Sequence, residues 1–147
     1  MRVVLDTNVL ARAVPGRNSP ARQVLEILLG QPHVLIASDF LLNELARVLR
    51  YPRVQRIHGL DEAAMQAFVQ SLREASVVVD VPQTSVPIAS DPDDDPIITT
   101  AIEGQADVLC TWDRHLFEPD VMEHLARFGI RVLRDTELIR ELQAPTP

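Results

Sequence analysis

Five short apolar runs alternate along the chain with segments whose apolar residues recur at helical spacing. The runs cover residues 3–5, 34–37, 77–79, 108–111 and 130–133. No hairpin signal joins consecutive runs, so each connection is expected to cross a face of the sheet as a helix, and strands joined in that way are parallel. We therefore predict an α/β fold with a central, mainly parallel five-stranded sheet flanked by helices on both faces.

Cap residues and prolines set the expected helix boundaries. The predicted helices cover 19–29, 38–51, 61–75, 97–103 and 135–142. Between residues 81 and 96 the chain is rich in proline and predicts an extended loop that carries acidic residues to the next helix. Pro96 is expected at the first helical position, which makes Asp95 the N-cap, and Asp135 is expected to cap the last helix.

The chain has 147 residues, 46% of them hydrophobic, which fits one domain that buries about two-thirds of its unfolded surface. We assign residues 1–143 to this domain and 144–147 to a disordered tail. The chain enters a strand directly and shows no signal-peptide pattern, so we expect a cytoplasmic protein with no membrane partner. The single cysteine, Cys110, is expected to be a core side chain rather than a nucleophile.

Four acidic residues stand where strands or helices open onto one edge of the predicted sheet. Asp6 follows the first strand, Asp113 follows the fourth, Asp95 precedes a helix, and Glu44 shares the apolar face of another helix. Ligands of open α/β sheets bind at the carboxyl ends of the strands. Carboxylates gathered there repel one another unless a hard divalent cation neutralises them. The pattern therefore predicts a Mg²⁺ or Mn²⁺ site.

Each acid taken alone has a commoner explanation, such as turn formation by Asp6, helix capping by Asp95 and Asp113, or solvation of Glu44. Their convergence on one edge is what favours a metal site. The neutral residues beside the carboxylates could hold them or a bound water in place, and these are Thr7, Asn8 and Thr111.

These residues lie in four segments that resemble the PIN-domain nucleases, a family that includes the VapC-like toxins of bacterial toxin-antitoxin pairs. The segments are VVLDTNVL at 3–10, SDFLLNELARVLRYP at 38–52, DPDDDPIITTAI at 91–102 and ADVLCTWDRHL at 106–116. The resemblance implies that Asp6, Glu44, Asp95 and Asp113 are the catalytic metal ligands, supported by Asn8 and Thr111. Asp94 is the alternative to Asp95. Trp112 departs from the small or basic residue expected at its position.

The family resemblance implies a Mg²⁺- or Mn²⁺-dependent ribonuclease that cuts single-stranded RNA with one or two ions, the toxin of a toxin-antitoxin pair. It also implies single-stranded or structured RNA as the substrate partner, a cognate antitoxin, and a homodimer. The net charge of −7 argues against RNA binding in general, although a bound cation would cancel part of it. The expected RNA contacts are Arg114, Arg47, Arg50, Arg53, Trp112 and Tyr51. For Arg47, Arg50 and Arg53, an exposed solvated face is an equal explanation.

Three other functions are compatible with an aspartate after the first strand. A haloacid-dehalogenase-type phosphatase would use Asp6 as its nucleophile, but it would need a second acid where Asn8 stands. A receiver-type signalling module would need a lysine, and this chain contains none. A catalytically idle PIN-fold module that binds RNA or protein remains as the alternative within the same fold.

Overall fold

The computed structural model describes residues 1–81 and 95–144, apart from the side chain of Asp95. Its five strands form one sheet in the order β3-β2-β1-β4-β5, and every neighbouring pair is parallel. The strands are β1 (Arg2–Leu5), β2 (Val34–Ser38), β3 (Ser76–Val79), β4 (Val108–Cys110) and β5 (Arg131–Leu133). The predicted α/β fold with a parallel five-stranded sheet surrounded by helices is thus confirmed.

The helices connect the strands as the apolar spacing predicts, with several short elements in addition. They are α1 (Thr7–Leu10), α2 (Pro20–Leu28), α3 (Asp39–Leu49), α4 (Pro52–His58), α5 (Glu62–Ala75), α6 (Asp95–Glu103), α7 (Pro119–Ala126) and α8 (Asp135–Gln143), with a 3₁₀-helix at Arg114–Phe117. No helix within the described ranges is long and apolar enough to cross a membrane. Most of the predicted proline-rich loop, and the end of the predicted tail, lie outside the described residues.

The strand order places a topological switch point at the centre of the sheet. The chain begins in β1, adds β2 and β3 on one side, and then crosses to β4 and β5 on the other side. The connection after β1 leads to β2 on one side, and the connection after β4 leads to β5 on the other side. A crevice therefore opens between the carboxyl ends of β1 and β4, where ligands of such sheets bind. A backbone hydrogen bond of 2.9 Å from Asp6 N to Cys110 O joins the two strand ends at this crevice.

Two predicted helix starts are wrong by one residue. Helix α6 begins at Asp95, so Asp95 is its first residue rather than its N-cap, and Pro96 is its second. Proline is tolerated anywhere in the first turn of a helix, because the N–H groups there lack helical partners. Pro96 therefore fits a helix that starts at Asp95 as well as one that starts at Pro96. In α8 the N-cap is Arg134, and the expected cap Asp135 is instead the buried first helical residue.

Pro52 follows the end of α3, as its position in the sequence predicts, but it also begins a further helix. Helix α3 ends at Leu49, and α4 starts at Pro52 with Tyr51 at its N-cap. Proline terminates a helix that precedes it, and it also suits the first turn of a helix that follows. The pair Tyr51-Pro52 is therefore compatible with a helix end alone or with a helix end followed by a new helix. The short helices α1 and α7 and the 3₁₀-helix are also absent from the predicted set.

The direction of α6 is fixed by two contacts with β2. Gly104, just after the end of α6, packs on the side chain of Ile36, and Thr100 Oγ1 is hydrogen-bonded to Ser38 Oγ at 2.9 Å. The helix therefore runs antiparallel to β2, from the carboxyl edge of the sheet towards its interior. Asp95, five residues before Thr100, lies about 7 Å further along the helix axis, beyond the carboxyl edge.

Gly104 is expected to tolerate no side chain. A Cβ at this position would overlap Ile36 Cγ2 and lie 3.0 Å from Ile36 Cδ1, in the middle of the buried sheet face. Gly104→Ala should therefore lower the free energy of unfolding by about 1–3 kcal/mol, the usual cost of overpacking. Gly30→Ala is the matched control, because its Cβ would meet only Ile27 O at 3.4 Å. Equal denaturant midpoints for the two variants would show that α6 does not pack this closely on β2.

Candidate active site

The carboxylate of Asp6 lies at the switch point with both of its oxygens bonded to the protein. Asp6 is the N-cap of α1, and its Oδ1 accepts a hydrogen bond of 2.7 Å from Thr7 N. Its Oδ2 accepts one of 2.8 Å from Thr111 Oγ1, on the far side of the crevice. The side chain is almost enclosed, with 8% of the residue exposed. Asp6 is therefore held in one orientation by groups from both sides of the crevice.

Two threonines connect Asp6 to the other predicted acids. Thr7 Oγ1 donates a hydrogen bond of 3.2 Å to Glu44 Oε2, on the half-buried side of α3. Thr111 Oγ1 accepts one of 3.0 Å from Asp113 N. The structure thus brings Asp6, Glu44 and Asp113 to one place, although they lie far apart in the chain. Thr7 and Thr111, predicted as supporting residues, are the groups that join them.

Asn8 joins this network, and it also fixes the backbone after β4. Its Nδ2 lies 3.4 Å from both Asp6 Oδ2 and Thr111 Oγ1, and its Oδ1 accepts a hydrogen bond of 3.1 Å from Trp112 N. The amide therefore donates towards the site and accepts from the neighbouring strand end. An aspartate at this position, as a haloacid-dehalogenase-type phosphatase would have, could not donate to Asp6 when ionised.

The electrostatic environment of Asp6 is unfavourable to its charge in the absence of a cation. Desolvation by burial raises the pKa of Asp6 from 3.8 to about 6, against the lowering effect of the hydrogen bonds from Thr111 and Thr7. The negative charges of Glu44 and Asp113 raise this pKa further. A buried carboxylate flanked by two like charges is stabilised in its ionised form by a divalent cation, which supplies the missing positive charge.

The donor set suits Mg²⁺ or Mn²⁺, because both prefer carboxylate, carbonyl and water oxygens. Among residues 1–81 and the described side chains from 96 to 144, however, no three acidic, histidine or cysteine side chains are arranged to hold an ion by themselves. For a cation at this crevice, water or a further protein ligand would complete the coordination. The backbone of Asp95 reaches the same edge through α6, while Asp94 lies outside the described residues.

The arginines predicted to contact RNA fall into two groups. Arg50 is already engaged, since its Nε lies 3.0 Å and 3.1 Å from the two carboxylate oxygens of Glu62. This pairing favours a structural role for Arg50 over phosphate binding. Arg47, Arg53 and Arg114 are exposed and form no ion pair within the described part of the chain, and Tyr51 is 46% exposed.

Sequence reasoning missed two arginines that border the crevice. The guanidinium carbons of Arg12 and Arg134 lie 5.2 Å and 5.1 Å from the centre of the ring of Trp112, the residue before Asp113. Arg12 is four residues beyond Asn8, and Arg134 directly follows β5. Of the two, only Arg134 could have been found from the sequence, because a residue directly after a strand lies at the carboxyl edge of the sheet.

Cys110 is the last residue of β4 and is fully buried. Burial, with the negative charges of Asp135 and Asp6, raises the pKa of its thiol far above the usual range. A thiol that stays protonated at neutral pH is a poor nucleophile. This environment agrees with the core role expected for Cys110.

Comparison with known proteins places these residues in a family. Residues 2–115 match the model of the PIN domain, a span that contains strands β1 to β4 and the whole carboxylate cluster. An uncharacterized protein of Methanocaldococcus jannaschii, MJ1680, is 26% identical over 116 residues, which cover 79% of this chain and 73% of that protein. PIN domains have a nuclease-type fold and commonly act on nucleic acids. The chain belongs to the PIN-domain family.

Proposed function

We propose that this protein is a Mg²⁺- or Mn²⁺-dependent ribonuclease that hydrolyses phosphodiester bonds of single-stranded RNA. The observation that carries the proposal is the buried carboxylate of Asp6, held at the switch point with Glu44 and Asp113 as like-charged neighbours. Such a cluster raises the energy of the metal-free protein, which is expected of a site built for a cation rather than for stability.

We assign Asp6, Glu44, Asp95 and Asp113 as the ligands of one or two divalent ions. When bound, the cation supplies an activated water and offsets the negative charge that develops on the phosphate. Thr7 and Thr111 hold the carboxylates in place by donating to Glu44 and Asp6. Asn8 orients Asp6 by donating to it, and it holds the backbone just before Asp113 by accepting from Trp112 N. Fixed ligands of this kind let the protein position the phosphate without reorganising.

Asp95 is proposed as the fourth ligand from the placement of its backbone. Helix α6 is anchored on β2 by Thr100 and Gly104, so its first residue reaches the edge where Asp6 and Asp113 lie. The N-terminus of a helix also carries partial positive charge, which favours a carboxylate there. Asp94 is retained as the alternative ligand, because the observed start of α6 is one residue earlier than predicted.

The toxin role in a toxin-antitoxin pair is part of the same proposal and is supported by the resemblance of the four segments to VapC-like proteins. A cognate antitoxin that covers the acidic crevice, and a homodimer, are the partners this role implies. The cytoplasm, where RNA is translated, is the corresponding location.

The substrate class is tested with fluorescent oligonucleotides of one sequence, offered in Mn²⁺ as single-stranded RNA, duplex RNA and single-stranded DNA. We expect single-stranded RNA to be cut fastest, and Glu44→Gln to slow this cleavage about 10- to 100-fold by replacing a proposed carboxylate ligand with a neutral amide. Glu123→Gln, on the exposed side of α7, is the matched control and should cleave as the wild type does. No cleavage of any strand by the wild type would instead favour the catalytically idle module.

A further inference from the structure

We propose that Arg12 and Arg134, packed against Trp112, bind the phosphate backbone of the RNA beside the site of cleavage. This inference rests on the proposed function, since it assigns the residues that hold the substrate of that same site. The unit formed by these three residues is called the Trp112 clamp below.

Both cations are available to bind an anion. Arg22, Arg50, Arg73 and Arg131 each form an ion pair with a carboxylate. Arg12 and Arg134 are exposed, and neither has a carboxylate within ion-pair distance in the described ranges. Two unpaired guanidinium groups close to one ring form a local positive surface on a chain whose net charge is −7.

Aromatic rings hold both cations in place. Arg12 lies over the Trp112 ring, while Arg134 lies over both Trp112 and Phe117, 5.1 Å from each ring centre. A guanidinium that packs its face on an aromatic ring leaves its N–H edge free, and this edge matches the oxygens of a phosphate. The ring also restricts the arginine side chain, so less conformational entropy is lost when phosphate binds.

The backbone of Trp112 is hydrogen-bonded to a residue of the crevice, and its ring packs on the core. Trp112 N donates to Asn8 Oδ1 at 3.1 Å, and its side chain packs on the core. Its buried Nε1–H has no hydrogen-bond acceptor among the described residues, so stacking and packing, rather than a side-chain hydrogen bond, define the position of the indole. Trp112 thus serves as a platform for the two arginines.

The Trp112 clamp lies beside the crevice. Thr111 N donates a hydrogen bond of 3.0 Å to Leu133 O, so Arg134, the next residue, lies beside the strand end that carries the carboxylates. Arg12 lies four residues beyond Asn8, just after the short helix that Asp6 caps. The acidic cluster repels a polyanion, and a cationic border is what allows RNA to approach it. The clamp provides this border on the β5 side of the crevice.

The test measures RNA affinity and its dependence on salt. Fluorescence anisotropy of a labelled single-stranded RNA in Mn²⁺ is recorded in the Glu44→Gln background, which slows cleavage, for Arg12→Gln, Arg134→Gln and the double variant. We expect each single change to raise Kd about 5- to 20-fold at low salt, and the double change to reduce the slope of log Kd against log salt by about 1.4, or 0.7 for each phosphate that the protein no longer neutralises. Cleavage kinetics of the same substitutions in the wild-type background should show a raised KM with kcat within about threefold.

The matched control is Arg127→Gln. Arg127 is also exposed, but it ends α7 and so precedes β5, at the opposite edge of the sheet from Arg134. Its Kd and salt slope should equal those of the parent protein. The Arg12→Lys, Arg134→Lys double variant keeps both charges and should restore the slope while binding less tightly, because lysine lacks the planar edge. If the glutamine variants fail to fold, the double lysine variant still tests the clamp through its weaker binding at an unchanged slope.

The outcomes separate this inference from the proposed function. The clamp alone would be overturned if the wild type binds and cuts RNA while the double glutamine variant keeps the parent's Kd and salt slope. A fall in slope of the same size in Arg127→Gln would also overturn it, by showing that any arginine contributes. A wild-type protein that neither binds nor cuts single-stranded RNA would overturn the proposed function and the clamp together.

Discussion

Asp6→Asn is expected to reduce RNA cleavage by more than about 100-fold while the protein still folds. The substitution keeps the size of the side chain and its ability to cap α1, and it removes the charge at the centre of the carboxylate cluster. A neutral amide is a weak ligand for Mg²⁺ or Mn²⁺, and so the loss should appear as lost metal affinity as well as lost activity. Cleavage of labelled single-stranded RNA and isothermal titration with Mn²⁺ measure the two effects.

The same substitution has an opposite and measurable effect on stability without metal. Because the folded-state pKa of Asp6 is raised from 3.8 to about 6, the folded protein holds this proton more tightly than the unfolded chain does. The stabilisation is complete below pH 3.8 and is lost as the pH rises to about 6. In EDTA at pH 7.5, Asp6→Asn should therefore exceed the wild type in stability by up to about 3 kcal/mol, and this difference should vanish near pH 4.

Asp107→Asn is the control for both effects. Asp107 precedes β4 at the opposite edge of the sheet, where its Oδ2 accepts a hydrogen bond of 2.7 Å from Arg2 N, a role that asparagine can retain. It should leave activity, Mn²⁺ affinity and the pH dependence of stability unchanged. If the Asp6→Asn variant were active, Asp6 would not be a metal ligand. If the variant were unfolded, the charge of Asp6 would be needed for folding.

The fold could be predicted because local patterns decide it. Short apolar runs separated by helical segments leave a parallel sheet as the simplest arrangement, and the runs fall within one residue of the observed strands. The positions of Asp6 and Thr111 follow from the rule that strand ends face ligands. Glu44 follows from helical spacing, which places it beside Leu41 on the inner side of α3.

The remaining features depend on tertiary contacts that no local pattern encodes. The start of α6 is ambiguous in the sequence, since proline suits either of the first two helical positions, and in the structure Thr100 and Gly104 anchor the helix on β2. Arg50 has the same helical context as Arg47, and only the fold brings Glu62 to it. Arg12 and Arg134 are separated by more than 100 residues and meet only through Trp112.

Removal of divalent metal is expected to stop cleavage, with a loss of about 1,000-fold or more, because the carboxylate cluster offers no nucleophile of its own and depends on a cation to generate one near neutral pH. Metal binding should also raise the melting temperature, since the cation relieves the repulsion of Asp6 by Glu44 and Asp113. At a concentration 100 times the Kd, binding to the folded state alone adds about 2.7 kcal/mol of stability. Asp6→Asn should show little of this increase.

The most direct measurement is cleavage of single-stranded RNA by metal-stripped wild-type protein, with Asp6→Asn purified in parallel to exclude a contaminating nuclease. Reactions contain EDTA, EDTA followed by excess Mn²⁺, or EDTA followed by excess Ca²⁺ as a charge control. We expect no cleavage in EDTA, full recovery by wild-type protein on addition of Mn²⁺, and no recovery by Asp6→Asn. Cleavage by the wild type that is unchanged in EDTA, or equal recovery in Asp6→Asn, would contradict a metal-dependent ribonuclease centred on this carboxylate.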